Sequence, residues 1–272
     1  MRLTIRDIQK MRTEAQPITM LTAYDATSAR LAEAADVPML LVGDTLGMVV
    51  QGHESTIPVT LEHMLYHCEI VSRVTQKPLI VGDLPFMTYS ISTQQAMQSA
   101  ARMMQEGRAN CVKLEGGTAL APTIQRIVDA GIPVMAHIGL TPQSVNRFGG
   151  FRVQGRQLES ARQLLRDAEA VQAAGAFAVV LELVPAALAA LITERLHIPT
   201  IGIGAGVGCD GQVQVFHDIL ALFDDFIPKH TKRYAEIGDL MRQAIITYRE
   251  DVQARAFPTE ANSFKIDDAI IQ

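Results

Sequence analysis

Short apolar runs alternate with longer amphipathic segments along most of the chain. The short runs consist mainly of β-branched and aliphatic residues, which is typical of strands buried on both faces of a sheet. Eight runs of this kind predict eight strands, at residues 18–22, 39–42, 79–81, 111–114, 134–136, 177–181, 200–203 and 213–216.

The segments between most of these strands carry apolar residues at three- and four-residue spacing, the pattern of helices with one buried face. Several end in a small residue followed by a proline before the next apolar run, as in AADVPM and AGIPVM, which stops a helix there. The predicted helices are at residues 27–35, 61–74, 93–106, 122–130, 159–174, 185–196 and 237–254.

The alternation of strands and helices implies a parallel sheet. Eight units within 272 residues favour a closed barrel over an open doubly wound sheet. We therefore predict an α/β fold, a single-domain (β/α)8 barrel of the TIM type that spans residues 1–272. A short tail of mixed polarity is predicted at about 257–272.

Composition narrows the class of protein without identifying it. Hydrophobic residues make up 48% of the chain, enough for a substantial core, and the formal net charge of −5 argues against a nucleic-acid or anionic-membrane surface. The three cysteines are odd in number and far apart, as in reduced intracellular proteins. Because the sequence shows neither an apolar leader nor an apolar run of about 18 residues, we expect a cytoplasmic protein.

Charged or titratable residues stand at the ends of five consecutive predicted strands, the second to the sixth. Catalytic residues of a (β/α)8 barrel lie where strands end and βα loops begin. A charged residue that ends a buried strand is costly unless it is paired or bound to a metal. One strand-end Asp is often only a helix cap, but five strands with this feature indicate one polar site. The residues are Asp44, Asp83, Lys113, Glu115, His137 and Glu182.

The types of these residues suggest their roles. Three carboxylates without clustered Cys or His favour a hard cation that prefers oxygen ligands, Mg²⁺ before Zn²⁺. Lys113 and Glu115 are two apart on one strand, so both point to the same face, where the lysine suits an anionic substrate. Glu182 is the strand-end acid of the later half of the barrel, so we expect it across the mouth from the others, as a general base.

Other features leave more than one interpretation open. The glycine-rich segment GIGAGVG at 202–208 follows the seventh predicted strand, where barrels often bind phosphate, but a tight turn explains it equally well. His217 and Asp218 are predicted at the end of the eighth strand, with a mostly structural role. Two loops, 46–60 and 140–158, are long enough to be lids or binding surfaces.

Seven blocks of sequence, in order, closely resemble the ketopantoate hydroxymethyltransferase family, also called 3-methyl-2-oxobutanoate hydroxymethyltransferases. The likeness runs from about Ile18 to Phe264, nearly the whole chain. The blocks are TAYDATSARLAEAADVPMLLVGDTLGMVVQGHEST, VGDLPFMTY, VKLEGG, HIGLTPQSVNRFGGFRVQGR, LELVP, IGIGAG with CDGQVQVFHD, and IPKHTKRY.

The resemblance implies a (β/α)8 barrel, Mg²⁺ as the metal, 5,10-methylenetetrahydrofolate as co-substrate and a homodecamer of two pentameric rings. The implied metal ligands are Asp44, Asp83 and Glu115. The implied contacts to a 2-oxo acid are Asp44, Thr45, Asp83 and Lys113, with His137 lining the same pocket and Glu182 as the catalytic proton acceptor.

One position departs from the family pattern. Thr45 stands where Ser is usual after the metal-binding Asp. Threonine keeps the hydroxyl group and the backbone N–H but adds a methyl group, so we expect carboxylate binding to survive with tighter steric limits on the substrate.

The expected reaction is a hydroxymethyl transfer to 3-methyl-2-oxobutanoate that gives 2-dehydropantoate, a step of pantothenate synthesis. Three alternatives remain at this point. The first is a Mg²⁺-dependent barrel enzyme of the lyase or phosphonomutase type, which acts on 2-oxo acids without folate. The second is a non-catalytic barrel that serves as a scaffold. The third is a phosphate-handling barrel built on residues 202–208.

Overall fold

The strands form a closed barrel. The computed structural model describes residues 1–222 and 227–271. The strands are β1 Ile18–Thr22, β2 Met39–Val42, β3 Leu79–Asp83, β4 Cys111–Glu115, β5 Val134–Gly139, β6 Ala178–Glu182, β7 Thr200–Ile203 and β8 Gly211–Gln214. Neighbours in the chain pair in parallel, and β8 pairs with β1 to close the circle. The predicted (β/α)8 barrel is therefore confirmed.

The helices lie mostly between successive strands, as predicted. An exception is the β7–β8 connection, residues 204–210, which are all described and contain no helix. The helices of the described residues are α1 Ile5–Thr13, α2 Ala26–Ala34, α3 Leu46–Val49, α4 Leu61–Val74, α5 Thr93–Gln105, α6 Ala121–Asp129, α7 Val145–Phe148, α8 Leu158–Ala173, α9 Ala186–Arg195, α10 Phe216–Ile219, α11 Ile237–Gln253 and α12 Asp268–Ile271.

The strand boundaries differ from the prediction where polar residues end the apolar runs. β3, β4 and β5 continue past their predicted ends to include Asp83, Glu115 and His137, because ladder pairing does not require an apolar side chain. The prediction for the eighth strand, 213–216, is wrong in position, since β8 begins at Gly211 and ends at Gln214. His217 and Asp218 consequently lie in α10 and do not end a strand.

The amino-terminal end of the barrel is closed by α1, a helix that the sequence pattern did not predict. Its Ile8 is fully buried in one apolar cluster with Ile18, Met39 and Leu79, the residues at the starts of three strands. Burial of such a side chain contributes about 1.5–3 kcal/mol. A ligand can therefore reach the barrel interior from the carboxyl ends of the strands, where the polar residues are.

The described residues group into two compact units. One comprises Met1–Phe216 with Pro228–Thr231 and holds the barrel, and the other comprises His217–Ile227 with Lys232–Gln272 and holds α11 and α12. The extent of a single domain over 1–272 stays a prediction. Gln272, the end of the predicted tail, lies outside the described residues. Of the helices that the structure describes, none combines the length and apolarity needed to cross a membrane.

Candidate active site

The carboxyl ends of β2 to β6 bring the predicted site residues together at one mouth of the barrel. All of them line one cavity, and Asp44, Asp83, Lys113 and Glu115 are buried in it. Parallel strands in chain order explain this convergence, because each contributes its last residues to the same rim. The lining residues that were predicted are Asp44, Thr45, Asp83, Lys113, Glu115, His137 and Glu182.

Lys113 and Asp83 form a buried ion pair at the centre of the site. Lys113 Nζ donates to Asp83 Oδ2 at 2.6 Å, and both side chains are at most 5% exposed. Burial raises the pKa of the Asp83 carboxyl, and the neighbouring Lys113 opposes the shift. Burial works against the charge of Lys113, but the surrounding carboxylates, Asp83 first, outweigh it and raise the lysine pKa.

Asp44 is held by a residue from the 140–158 loop. Gln143 Nε2 donates to Asp44 Oδ2 at 2.8 Å, and the backbone N–H of Gln143 donates to Glu115 Oε2 at 3.1 Å. The pKa of Asp44 is raised well above its usual value because the carboxyl is buried and Asp83 and Glu115 are nearby. The site without a cation therefore disfavours full ionisation of its acids.

His137 joins two acids across the mouth. Its Nδ1 lies 3.5 Å from Glu115 Oε1, and its Nε2 lies 3.2 Å from Glu182 Oε2. Burial works against protonation of the ring, but interactions with Glu115 and Glu182 outweigh it and raise the pKa of His137 to about 9. Glu182 was expected across the mouth from the other acids, and His137 lies between it and Glu115.

The donor set suits a hard divalent cation. Asp83 Oδ1 and Glu115 Oε1 are buried and accept no hydrogen bond from any described residue. Carboxylate oxygens are the ligands that Mg²⁺ prefers. Within residues 1–222 and 227–271, no group of three His, Cys, Asp or Glu side chains is already arranged to hold a metal ion, in keeping with the pairing of Asp83 and Asp44 to Lys113 and Gln143. Two carboxylate oxygens that accept no hydrogen bond from the described residues, beside further carboxylates, nevertheless fit the ion.

Part of the cavity lining is apolar, and its side chains are called the apolar wall below. Leu41, Val180, Ile203 and Val213 line it, each contributed by a strand of the barrel. A ligand with a charged end and a branched hydrocarbon end would place one against Lys113 and the other against this wall. The site is therefore amphipathic in the way that a short branched acid requires.

The glycine-rich segment after β7 makes a close backbone turn. Gly204 has φ +63°, and a Cβ at this position would lie 2.6 Å from Leu183 Cδ2 and 3.2 Å from His230 Cβ. A side chain here would be strained by the positive φ and would need Leu183 and His230 to shift, which supports the tight-turn interpretation. The phosphate interpretation stays untested. His230 was not singled out from the sequence; burial lowers its pKa, and the Glu182 carboxylate opposes the shift.

Two further residues of the site, Gln143 and Tyr89, were also not singled out. Tyr89 is buried and its hydroxyl donates to Gln143 Oε1 at 2.6 Å. Both residues stand in blocks that carry the family resemblance, HIGLTPQSVNRFGGFRVQGR and VGDLPFMTY, but neither follows directly on a strand. The strand-end rule could not find them, because they approach the site from loops.

A protein-family model described as ketopantoate hydroxymethyltransferase matches residues 2–260. The chain belongs to the ketopantoate hydroxymethyltransferase family. The family resemblance of the seven blocks and the prediction of an enzyme of this family are thereby confirmed. The match covers both loops that were predicted to be functional, and all the site residues named above.

Named members of the ketopantoate hydroxymethyltransferase family are similar to the chain over nearly its whole length. A 3-methyl-2-oxobutanoate hydroxymethyltransferase of Chloroflexus aurantiacus is 60% identical over 269 residues, 99% of this chain and 95% of that protein. One of Dehalococcoides mccartyi is 54% identical over 272 residues, 100% of this chain and 98% of that protein.

Solved structures of other enzymes share the fold of this ketopantoate hydroxymethyltransferase family member. A putative phosphonomutase from Burkholderia cenocepacia has a TM-score of 0.64 at 18% identity, over 81% of this chain and 96% of its own. A phosphonopyruvate hydrolase in complex with oxalate and Mg²⁺ has a TM-score of 0.64 at 12% identity, over 96% and 93%. At these identities the likeness concerns the barrel alone.

Proposed function

We propose that the chain transfers a hydroxymethyl group from 5,10-methylenetetrahydrofolate to 3-methyl-2-oxobutanoate, with Mg²⁺ as its metal. The product is 2-dehydropantoate, an intermediate of pantothenate synthesis. The observation that carries the proposal is the cluster of buried carboxylates and one lysine that lines one cavity with the apolar wall at the barrel mouth. The names of the full-length relatives support the same reaction.

Asp44, Asp83 and Glu115 would hold the metal, since they stand at or just after the ends of the adjacent strands β2, β3 and β4. Asp83 Oδ1 and Glu115 Oε1 also have no hydrogen-bond partner among the described residues. When bound, Mg²⁺ supplies Lewis-acid polarisation of the 2-oxo group, which makes the C3 proton easier to remove. Lys113 and Thr45 would bind the carboxylate end of the substrate. The apolar wall of Leu41, Val180, Ile203 and Val213 would receive its isopropyl group.

Glu182 would remove the proton from C3. Its carboxylate stands on the rim beside the apolar wall, and its side chain is 14% exposed, so the proton can leave to solvent after transfer. His137 would orient this base, because the imidazole is held between Glu182 and Glu115. A fixed base that need not reorganise at the moment of proton transfer lowers the barrier.

The carbon nucleophile formed at C3 would attack the methylene carbon of the folate. The new C3–C bond replaces a C–N bond to the folate, whose second C–N bond is broken as water supplies the hydroxyl oxygen. Tetrahydrofolate is then released, so one carbon and one water molecule enter the product and no electrons are exchanged with an external partner.

A turnover assay tests this proposal directly. Purified protein with 3-methyl-2-oxobutanoate, 5,10-methylenetetrahydrofolate and Mg²⁺ should form 2-dehydropantoate, measured by mass spectrometry. EDTA should abolish product formation and added Mg²⁺ should restore it, because the acids alone cannot polarise the 2-oxo group. Turnover that is insensitive to chelation would contradict the metal assignment.

The folate arm of the same assay separates the proposal from its closest alternative. A lyase or phosphonomutase type of barrel enzyme would act on its 2-oxo acid without folate. We expect no consumption of 3-methyl-2-oxobutanoate when folate is omitted. A metal-dependent reaction that proceeds without folate would favour the alternative.

We further propose a cytoplasmic homodecamer, as the resemblance implies. The amphipathic helix α11 supports an assembly, since none of its residues is buried although Leu240, Met241, Ile245 and Tyr248 repeat at helical spacing. The net charge of −5 supports small-molecule partners over nucleic acid or an anionic membrane.

A further inference from the structure

Gln143 makes an unusually complete set of hydrogen bonds for a loop side chain. Its Nε2 donates to Asp44 Oδ2 at 2.8 Å and to the carbonyl oxygen of Leu84 at 3.0 Å, while its Oε1 accepts from Tyr89 at 2.6 Å. Its backbone N–H donates to Glu115 Oε2 at 3.1 Å. One residue therefore touches two of the three carboxylates that are proposed to hold Mg²⁺.

Tyr89 fixes which way the Gln143 amide faces. The tyrosine hydroxyl accepts from the backbone N–H of Glu115 at 3.2 Å and donates to Gln143 Oε1. The hydroxyl proton has two acceptors within reach, Gln143 Oε1 at 2.6 Å and the Glu115 carbonyl oxygen at 3.4 Å, and the shorter contact directs it to the amide oxygen. The amide NH₂ is consequently turned towards Asp44.

We propose that Gln143, oriented by Tyr89, is a positioning residue that sets the Asp44 and Glu115 carboxylates for the divalent cation. The inference rests on the proposed function, because it presumes that these acids bind a metal. It assigns a task to the 140–158 loop, whose 3₁₀ turn Pro142–Ser144 carries Gln143 into the site. The loop thus completes the metal site from above the barrel.

A neutral donor is suited to this task. The Asp44 carboxylate lies near the carboxylates of Asp83 and Glu115. Without a hydrogen-bond partner it could rotate away from them. A lysine or arginine in place of Gln143 would compete with the divalent cation for the same oxygens. An amide holds one oxygen of Asp44 by a hydrogen bond without adding charge, so the attraction between the acids and the cation is kept.

Metal affinity is the measurement that separates this role from a structural one. The probe is Mn²⁺, titrated into chelator-treated protein and followed by electron paramagnetic resonance. Gln143→Met keeps the length of the side chain and the backbone N–H but removes the donor to Asp44, and we expect Mn²⁺ to bind about 10-fold more weakly. Tyr89→Phe should weaken Mn²⁺ in the same direction by less, because the amide remains but loses its fixed orientation.

The double variant tests whether Tyr89 acts through Gln143. Once the amide is absent, loss of the hydroxyl should add nothing, so Gln143→Met/Tyr89→Phe should match Gln143→Met in Mn²⁺ affinity. In the turnover assay, Gln143→Met should need more Mg²⁺ for half-maximal rate, and its kcat should recover at saturating Mg²⁺. If Gln143 had only a structural role, saturating Mg²⁺ would not restore kcat.

Matched controls are available on the outer surface. Gln163 Nε2 donates to Asp167 Oδ1 at 2.9 Å, the same type of contact on α8, and Tyr66 is exposed. Gln163→Met and Tyr66→Phe should leave Mn²⁺ affinity unchanged.

Five outcomes would contradict the proposal. Mn²⁺ affinity of Gln143→Met within 2-fold of wild type, or fully additive effects in the double variant, would overturn it. If Gln143→Met does not fold by circular dichroism, a folded Tyr89→Phe with wild-type Mn²⁺ affinity overturns it instead. A wild-type protein that binds no Mn²⁺, or whose binding survives Asp83→Asn, refutes the proposed metal site as well, and so is distinguishable from failure of the positioning role alone.

Discussion

Among the side chains at the barrel mouth, acidic groups outnumber basic ones. Asp44, Asp83 and Glu115 are buried with Lys113 as their nearest fixed cation, and the His137 imidazolium is shared between Glu115 and Glu182. Buried charges that are not balanced are expensive, so burial raises the pKa of Asp44 and of Asp83. A divalent cation would balance two of the charges, which links metal binding to the ionisation of Asp44 and Asp83.

The role of Glu182 as the base is testable by replacing it alone. Glu182→Gln keeps the size and the proximity to His137 but removes the basic oxygen, so we expect kcat to fall by about 10²–10⁴-fold. Binding of 3-methyl-2-oxobutanoate should change little, because Lys113 and the apolar wall are untouched. The direct measurement is exchange of the C3 proton in D₂O without folate, followed by nuclear magnetic resonance.

The matched control for this variant is Glu194→Gln, an exposed carboxylate on α9. It should exchange the C3 proton at the wild-type rate. Exchange at the wild-type rate by Glu182→Gln would assign the base to another group.

At the scale of secondary structure, the pairing of neighbouring strands fixes the site. β5 and β6 are in register so that Gly139 lies opposite Glu182. A Cβ at Gly139 would lie only 2.3 Å from the Glu182 carbonyl oxygen and 2.8 Å from Val184 Cγ2. The close approach of these two strands therefore places the proposed base, and it requires a residue without a side chain.

A comparison of Gly139→Ala with Gly131→Ala isolates the effect of this close approach on stability. Both glycines have left-handed φ angles, +95° and +90°, but a Cβ at Gly131 meets no atom within 4 Å. Gly131→Ala should lose about 1–3 kcal/mol of unfolding free energy from backbone strain alone. Gly139→Ala should lose about 1–3 kcal/mol more from overpacking and should also lower kcat, since the strand that carries Glu182 must shift. If urea denaturation gave equal losses of unfolding free energy for both variants, the contact at Gly139 would be relieved without a cost in stability.

The strands and loops also show which features could be predicted from the sequence and which could not. The bounds of β1, β2 and β7 agree with the predicted runs, since no charged residue stands within these strands. β8 was misplaced because its exposed Gln212 interrupts the apolar pattern. Gln143 and Tyr89 could not be assigned, because hydrogen bonds between two loops and a strand depend on tertiary structure and leave no periodic signal.

For the whole molecule, the sequence predicted the barrel and the convergence of the strand-end residues because both follow from chain-order pairing. The link between Glu182 and Glu115 through His137 was not predictable, since a strand-end rule gives the rim but not which side chains meet across it. Contacts between chains of the proposed decamer are likewise not predictable from the strand pattern. A helix such as α11, whose apolar residues recur at helical spacing and yet are exposed, indicates a surface that a second chain could cover.

The proposed decamer is testable by light scattering coupled to size exclusion. A chain of 29.7 kDa should elute as an assembly of about ten times that mass. Ile245→Glu places a charge in the apolar stripe of α11 and should lower the mass, because an unpaired charge cannot be buried in an apolar interface. Gln243→Glu adds the same charge two residues earlier, about 200° around the helix, and should leave the mass unchanged. A wild-type mass of one chain would refute the decamer, and equal masses for both variants would place the contact elsewhere on the molecule.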